Sequence, residues 1–259
     1  MSKKNKKRKK LNTNNDILTT PTNEIKKDES PIIFQRPKLK SALSIRKRPD
    51  LTDNQKIFLE LAQNKETKIV FVSGPAGTSK TFLAVMASLF LINDKKVSDL
   101  IYLRSVVESS ENKMGYLPGG EDEKVAPYMQ PLVDKLEELL PKNDIDLLMK
   151  EQRVQGHPIN FLRGLSWNAK AIVVDESQNM TFKELYTLVT RVGEFSKLFI
   201  LGDPDQSDIG SKSGFAKMRD CLSDDDSKSN GIYTFKFTTD DIVRSQLVKF
   251  IIKKLNIKT

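Results

Sequence analysis

The chain has 259 residues, of which 38% are hydrophobic, so it can bury one large core beside its tails. Its single cysteine and single histidine exclude a disulfide framework or a zinc site within one chain and favour a reducing, cytoplasmic compartment. The net charge is +9, no apolar run reaches the roughly 18 residues of a membrane span, and no apolar segment follows the basic N-terminus, so we expect neither a membrane partner nor a signal peptide.

The positive charge is concentrated in residues 1–50, which contain 15 Lys or Arg and 5 Asp or Glu, whereas the remainder has a net charge of −1. The first ten residues include seven Lys or Arg, and no apolar period follows them. We therefore predict a disordered basic leader over residues 1–45 and one folded domain over residues 46–259. A cationic arm that docks on nucleic acid and a solubilising tail explain this leader equally well.

Helical patterns alternate with short buried strands from about Leu51 onward. A capping box at Thr52 begins an amphipathic helix, and a strand at Lys68–Ser73 leads through a glycine-rich turn into a helix from about Lys80 to Ile92. Further strands are predicted at Leu100–Leu103, Ala171–Val174, Leu198–Leu201 and Ile232–Phe237. Further helices are predicted at Pro127–Leu140, after Thr181, and from Asp240 onward with Ile242, Val243, Leu247, Phe250 and Ile251 facing inward. This alternation predicts an α/β fold with a mainly parallel sheet covered on both faces.

Polar segments follow three of the predicted strands, at 74–81, 175–178 and 203–206. In parallel sheets that are covered by helices, ligands bind at the carboxyl ends of the strands. The three segments are therefore expected to meet at one edge of the sheet and to form a single site.

The first polar segment has the form of a phosphate-binding loop between a strand and a helix. Its successive backbone N–H groups and the helix N-terminus are suited to an anion, Lys80 to the β- and γ-phosphates, and the Thr81 hydroxyl to Mg²⁺. Ser79 stands where the pattern expects a second glycine, so we expect weakened binding if that position requires a positive φ or clearance of the Cβ. The residues expected to bind ATP here are Gly74, Pro75, Ala76, Gly77, Thr78, Ser79, Lys80 and Thr81.

The second and third segments carry acidic and amide side chains. Asp175 is suited to a magnesium ligand, and Glu176 can orient and deprotonate water. Gln206 can contact both a γ-phosphate and the attacking water, and Asp203 can support the loop. Taken alone, the acids could face solvent, and the segment at 203–206 could be an ordinary turn.

Longer segments of the sequence resemble the PhoH family, ATPases related to the first motor domain of superfamily-one helicases. The matching segments include GPAGTSKT (74–81), a long stretch over 103–132 that contains GYLPG, the stretch 157–179 that ends in DESQN, GDPDQSDI (202–209) and DDIVRSQLV (240–248). The resemblance covers about residues 50–252. It implies a three-layer P-loop NTPase fold with a RecA/helicase-like core, and ATP and Mg²⁺ as ligands.

The resemblance also implies roles for residues outside the three segments. Gln55 would contact adenine, and Arg244 would stabilise charge on the γ-phosphate. Tyr116, in the glycine-rich stretch Gly115–Gly120, is a candidate stacking face for single-stranded nucleic acid, although a plain turn explains that stretch too. The candidates for phosphate, nucleic-acid or subunit contacts, for which surface or structural roles weigh equally, are Arg104, Arg163 and Arg191.

The activity predicted from these features is hydrolysis of ATP to ADP and phosphate, coupled to RNA or single-stranded nucleic acid, with helicase-like action left open. The sequence holds only one motor-type domain, so the resemblance implies a homo-oligomeric ring such as a hexamer, with an arginine supplied by a neighbouring subunit. Two alternatives stay open: a non-catalytic ATP-dependent switch, and a nucleic-acid-binding protein that uses only its basic leader.

Overall fold

Six parallel strands form one sheet in the part of the chain that the structure describes. The computed structural model describes residues 39–48, 50–105, 121–159, 167–244 and 246–256. The strands are β1 (Ile69–Ser73), β2 (Asp99–Arg104), β3 (Val154–Pro158), β4 (Lys170–Asp175), β5 (Lys197–Gly202) and β6 (Ile232–Lys236). They are ordered β3-β2-β4-β5-β1-β6, and every neighbouring pair is parallel. The predicted parallel sheet is therefore confirmed.

Eight α-helices connect and cover these strands within the described ranges. They are α1 (Asp53–Gln63), α2 (Lys80–Asn93), α3 (Glu121–Leu139), α4 (Lys142–Lys150), α5 (Phe182–Val189), α6 (Phe215–Cys221), α7 (Asp225–Ser229) and α8 (Gln246–Asn256). Capping boxes at Thr52 and Thr181 begin α1 and α5, as the sequence predicts. No helix in the described part of the chain is both long and apolar enough to cross a membrane.

Side chains alternate between two cores because successive residues of a strand point to opposite faces of the sheet. Val70 and Val72 of β1 belong to a core shared with α1, α2, α3 and α4. Phe71, between them, belongs to a second core shared with α5 and α6. Since almost every position in the central strands is buried on one face or the other, the protein has three layers and a P-loop NTPase-like α/β fold.

The predicted closing helix differs from the observed one. The chain makes a short 3-10 turn at Thr239–Asp241, continues without helix to Arg244, and enters α8 only at Gln246. Ile242 is buried as predicted, but Leu247 is 68% exposed and Phe250 is 58% exposed. Val243 and Ile251 are exposed too, so the prediction that these four side chains face inward is wrong. The helical spacing identified an apolar face, but spacing alone does not determine what covers that face.

The sequence analysis did not predict two of the observed elements, and it placed the start of one helix too late in the chain. Neither β3 nor α4 was predicted, and α3 begins at Glu121 rather than near Pro127. Packing also begins before Leu51: Leu43 is buried and its backbone N–H donates to Asn93 Oδ1 at 2.8 Å. The segment that precedes α1 is therefore part of the core that covers α2.

Candidate functional site

The carboxyl ends of β1, β4 and β5 lie side by side at one edge of the sheet. Ser73, the last residue of β1, is aligned with Gly202, the last residue of β5, and Val174 of β4 is aligned with Ile200 of β5. The segments that follow these strands line one cavity of about 430 Å³. The predicted residues that line it include Gln55, Ala76, Gly77, Ser79, Lys80, Thr81, Asp175, Glu176, Asp203, Gln206 and Arg244.

The loop between β1 and α2 is held closed by its own hydrogen bonds. Lys80 Nζ donates to the carbonyl oxygens of Gly74 at 2.6 Å and Pro75 at 3.1 Å, and Thr78 Oγ1 donates to the same Pro75 carbonyl at 2.9 Å. At Gly77, φ is +84°, and a Cβ there would lie 3.0 Å from Arg244 Cγ. The positive φ therefore favours glycine at this position, and a larger residue would also crowd the Arg244 side chain.

Ser79 occupies the position where the sequence pattern expects glycine, and its backbone is left-handed. Its φ is 64° and its ψ is 27°. A residue with a Cβ in this region costs roughly 1–2 kcal/mol. The condition under which Ser79 was expected to weaken the loop, a requirement for positive φ, is therefore met in the structure.

The carboxylate of Asp175 is fixed by three donors. Thr81 Oγ1 at 3.0 Å and the Tyr102 hydroxyl at 2.7 Å both donate to Oδ2, and the Glu176 N–H donates to Oδ1 at 3.0 Å. Burial, reinforced by the negative charge of Asp175, raises the pKa of Tyr102, so its hydroxyl remains a donor. The sequence analysis missed Tyr102, because a tyrosine in a buried strand gives no signal of a polar partner.

The side-chain amide of Gln178 orients Glu176 at the cavity. Gln178 Nε2 donates to Glu176 Oε2 at 2.6 Å, and Gln178 Oε1 accepts from the Asp203 N–H at 3.1 Å. Arg104 Nη2 lies 4.0 Å from Glu176 Oε1. Gln178 therefore connects the end of β4 to the end of β5, a positioning role that its place in the DESQ segment alone did not reveal.

Burial perturbs two charged groups at the same edge. It lowers the pKa of Lys80, while the negative charges of Asp203, Asp175 and Glu176 act in the opposite direction. Burial raises the pKa of Asp203, against the backbone N–H of Asp205 and the charge of Lys80. Within this desolvated edge, an additional anion beside Lys80 would favour its charged form.

Gln55 is buried at the inner wall of the cavity and connects three segments. Its Nε2 donates to the carbonyls of Thr78 at 3.3 Å and Asp241 at 3.2 Å, and its Oε1 accepts from the Thr52 N–H at 3.1 Å. The amide is thus engaged by backbone groups, and the expected adenine contact of Gln55 stays a prediction.

Gln206 and Arg244 have exposed side chains that line the cavity. The Val243 N–H donates to the Gly77 carbonyl at 3.0 Å, which keeps Arg244 beside the phosphate-binding loop. Arg191 follows α5 and precedes β5, so it lies toward the opposite edge of the sheet and does not line the cavity. Tyr116 and Arg163 lie outside the described residues.

The side-chain oxygen atoms at this edge are of the kind that Mg²⁺ prefers as ligands. Thr81 supplies a hydroxyl and Asp175 a carboxylate, and Mg²⁺ commonly combines one or two protein oxygens with phosphate and water oxygens. Across the described ranges, no group of three or more His, Cys, Asp or Glu side chains forms a self-sufficient metal site. The arrangement therefore fits a metal shared with a phosphate ligand.

Comparison with known proteins gives a consistent set of matches. A family model described as PhoH-like protein matches residues 48–256. The chain is 36% identical over 203 residues to the PhoH-like protein of Mycobacterium tuberculosis (strain ATCC 25618 / H37Rv), covering 78% of this chain and 56% of that protein. It is 35% identical over 195 residues to the PhoH-like protein of Bacillus subtilis (strain 168), covering 74% of this chain and 60% of that one.

A more distant relative is Protein PhoH of Escherichia coli (strain K12), which is 28% identical over 203 residues, covering 77% of this chain and 56% of that protein. The matched region thus spans little more than half the length of each of these relatives.

Proposed function

The chain belongs to the PhoH-like protein family, and from that premise we propose that it binds ATP with Mg²⁺ and hydrolyses ATP to ADP and phosphate. We further propose that this hydrolysis is coupled to RNA or single-stranded nucleic acid. The observation that carries the proposal is the meeting of Lys80, Asp175, Glu176 and Gln206 in one cavity at the carboxyl edge of a parallel sheet.

A triphosphate in this cavity would lie against the N-terminus of α2. Lys80 would exchange its bonds to the Gly74 and Pro75 carbonyls for phosphate oxygens, which are stronger acceptors because they are charged. Thr81 and Asp175 would hold Mg²⁺. When bound, the metal would neutralise charge that develops on the phosphate oxygens.

The remaining residues would position water and stabilise charge. Glu176 would orient and deprotonate the attacking water, and its contact with Gln178 restricts the carboxylate to one direction. Gln206 would hold the same water from the β5 side. Arg244 would stabilise negative charge on the transferring phosphoryl group.

We also propose a nucleic-acid partner and association of identical subunits. The basic leader supports an interaction with nucleic acid through phosphate contacts. The exposed apolar side chains of α8, among them Leu247 and Phe250, support association of identical subunits. We therefore propose a homo-oligomer, with a ring as the arrangement to be tested by light scattering.

Phosphate release by wild type and by Glu176→Gln is the direct test. Loss of a general base costs typically 10²–10⁴-fold, so we expect the variant to release phosphate at least about 100-fold more slowly while its affinity for ATP stays within a few-fold. Lys80→Ala provides the contrast, since it should lose binding. Equal phosphate release by wild type and Glu176→Gln would reject the catalytic assignment.

The alternative is an ATP-dependent switch that binds ATP without hydrolysing it. Ser79 in a strained position of the phosphate-binding loop favours this alternative. It predicts ATP binding by wild type, no phosphate release with or without single-stranded RNA, and RNA affinity that changes with bound ATP. Measuring these quantities on one preparation separates the two functions.

A further inference from the structure

A second cavity, of about 810 Å³, lies at the amino-terminal edge of the sheet. Three connections form it: residues 65–68 before β1, residues 95–96 after α2, and residues 192–197 before and into β5. Because β1 and β5 are five and six residues long, about 15–20 Å of strand separates this edge from the phosphate-binding loop. The second cavity is therefore a separate place on the molecule.

The lining of this cavity is strongly basic. It contains five lysines and one acidic residue, Glu194; the lysines are Lys65, Lys68, Lys95, Lys96 and Lys197. We call this set of residues the lysine pocket. Its charge complements an anion and repels a cation.

The lysines of the pocket differ in their ion pairs. Lys65 and Lys96 make exposed ion pairs, with Glu66 at 3.6 Å and Asp94 at 3.1 Å, and such pairs are weak. No ion pair to Lys68 or Lys95 is formed within the described part of the chain. An incoming phosphate could therefore bind these two ammonium groups without first breaking a salt bridge.

The floor of the pocket contains a buried lysine. Lys197 is almost fully buried, and its ammonium group donates to two backbone carbonyls, those of Ala62 at 3.0 Å and of Asn64. Beside it, the buried Thr67 hydroxyl has no hydrogen-bond partner among the described residues. That oxygen is closed off from the cavity, so the contribution of this wall to anion binding is the buried positive charge of Lys197.

The rim of the pocket carries an aromatic ring in solvent. Phe195 is 51% exposed, and its backbone is left-handed with φ 59°. This conformation is rare for a bulky residue, and it persists only where the surrounding structure imposes it. An exposed phenyl ring beside unpaired lysines is suited to a ligand that has both a flat apolar part and a phosphate.

We propose that the lysine pocket binds a nucleotide unit, with the base stacked on Phe195 and the phosphate on Lys68 and Lys95. A bare anion would use the lysines but leave the ring exposed, and an apolar ligand would leave the lysines unpaired. The unit can belong to a single strand or to a free nucleotide. For the strand, the inference rests on the nucleic-acid partner of the proposed function; for the free nucleotide, it does not.

The test uses full-length protein and two probes, a fluorescein-labelled single-stranded oligouridylate and free uridine 5′-monophosphate. Lys68→Gln/Lys95→Gln removes the two unpaired charges and keeps most of each stem. Lys142→Gln/Lys150→Gln is the matched control, because it removes the same charge from α4, which packs beside β3 at the far side of the sheet. The basic leader is present in every variant, so its contribution cancels.

With the strand probe, we expect the control to match wild type. Lys68→Gln/Lys95→Gln should bind more weakly, and the magnitude of the slope of log affinity against log salt should fall by about 0.7, because the two lysines share one phosphate and each neutralised phosphate of a single strand contributes about 0.7. Phe195→Leu should lose roughly tenfold in affinity without a change in slope, because stacking is lost and charge is kept.

The two probes distinguish the sources of the unit. Pocket-dependent binding of the oligouridylate alone identifies a strand, and pocket-dependent binding of the monophosphate identifies a free nucleotide. If the pocket variants match the control with both probes, the inference is overturned. Basal phosphate release, measured on the same proteins, should not change; its absence from wild type would count against ATP hydrolysis and not against the pocket.

Discussion

Replacing Ser79 with glycine should relieve strain in the phosphate-binding loop. Ser79 has φ 64° and ψ 27°, and this left-handed backbone lowers the stability of the folded state by roughly 1–2 kcal/mol. Glycine removes that cost but adds conformational freedom to the unfolded chain, which offsets about 0.4–1 kcal/mol. We therefore expect Ser79→Gly to raise the free energy of unfolding by roughly 0.5–1 kcal/mol, or about 1–4 °C in Tm for a domain of this size.

Ser79→Ala is the matched control for this prediction. Alanine keeps the Cβ, and therefore the strain, while it removes the hydroxyl, which makes no capping hydrogen bond to α2. We expect its stability to equal that of wild type or to fall slightly. The order of stability should be Gly above Ser, with Ala no higher than Ser.

Urea unfolding, with and without ADP and Mg²⁺, provides the assay. If the serine Cβ also hinders phosphate binding, the shift caused by ligand will be larger for Ser79→Gly than for wild type, because ligand stabilisation follows affinity. If it does not, the two shifts will be equal and only the baseline will rise. A Ser79→Gly variant no more stable than Ser79→Ala would refute the assignment of strain to this residue.

Three further predictions concern groups that the structure connects to the same core. Gln178→Leu should slow phosphate release about tenfold or more with nucleotide affinity nearly unchanged, since Glu176 loses its 2.6 Å contact; unchanged turnover would contradict this. Tyr102→Phe removes a donor to Asp175 and should raise the Mg²⁺ concentration for half-maximal nucleotide binding, measured by titration; an unaltered midpoint would argue against a positioning role. Burial and Lys96 lower the pKa of Lys197 to about 8 from 10.5, so the unfolded state binds more protons between these values. The free energy of unfolding of wild type relative to Lys197→Met should therefore rise with pH over that window, and a flat difference would refute the shift.

The features that the sequence predicted well are those with a local physical signature. Short apolar runs located the central strands, and the capping boxes at Thr52 and Thr181 located two helix starts. The polar segments after three strands predicted one edge, because parallel strands have all their carboxyl ends on the same side. That rule needs no knowledge of the strand order, which the sequence did not reveal.

The features that the sequence missed depend on partners far along the chain. The strand β3, Val154–Pro158, contains Gly156 and His157 and has no apolar run, yet it pairs with β2 as an edge strand. Tyr102 reads as an ordinary buried strand residue until the fold brings Asp175, 73 residues away, to its hydroxyl. The direction in which α8 turns its apolar face likewise follows from where the chain leaves the core after Arg244.

The place of Arg244 bears on how subunits would cooperate. The Val243 N–H bonds to the Gly77 carbonyl, and Gln55 joins the Thr78 and Asp241 carbonyls, so the segment that carries Arg244 is tied to its own phosphate-binding loop. An arginine anchored in this way is suited to act within its own subunit, since moving it to a neighbour would break both connections. A ring in which a neighbour supplies an arginine would therefore need a second arginine for that purpose. Arg191 lies toward the other edge of the sheet, and Arg104 already lies 4.0 Å from Glu176 of the same chain. The described residues thus favour a site whose charges come from its own subunit.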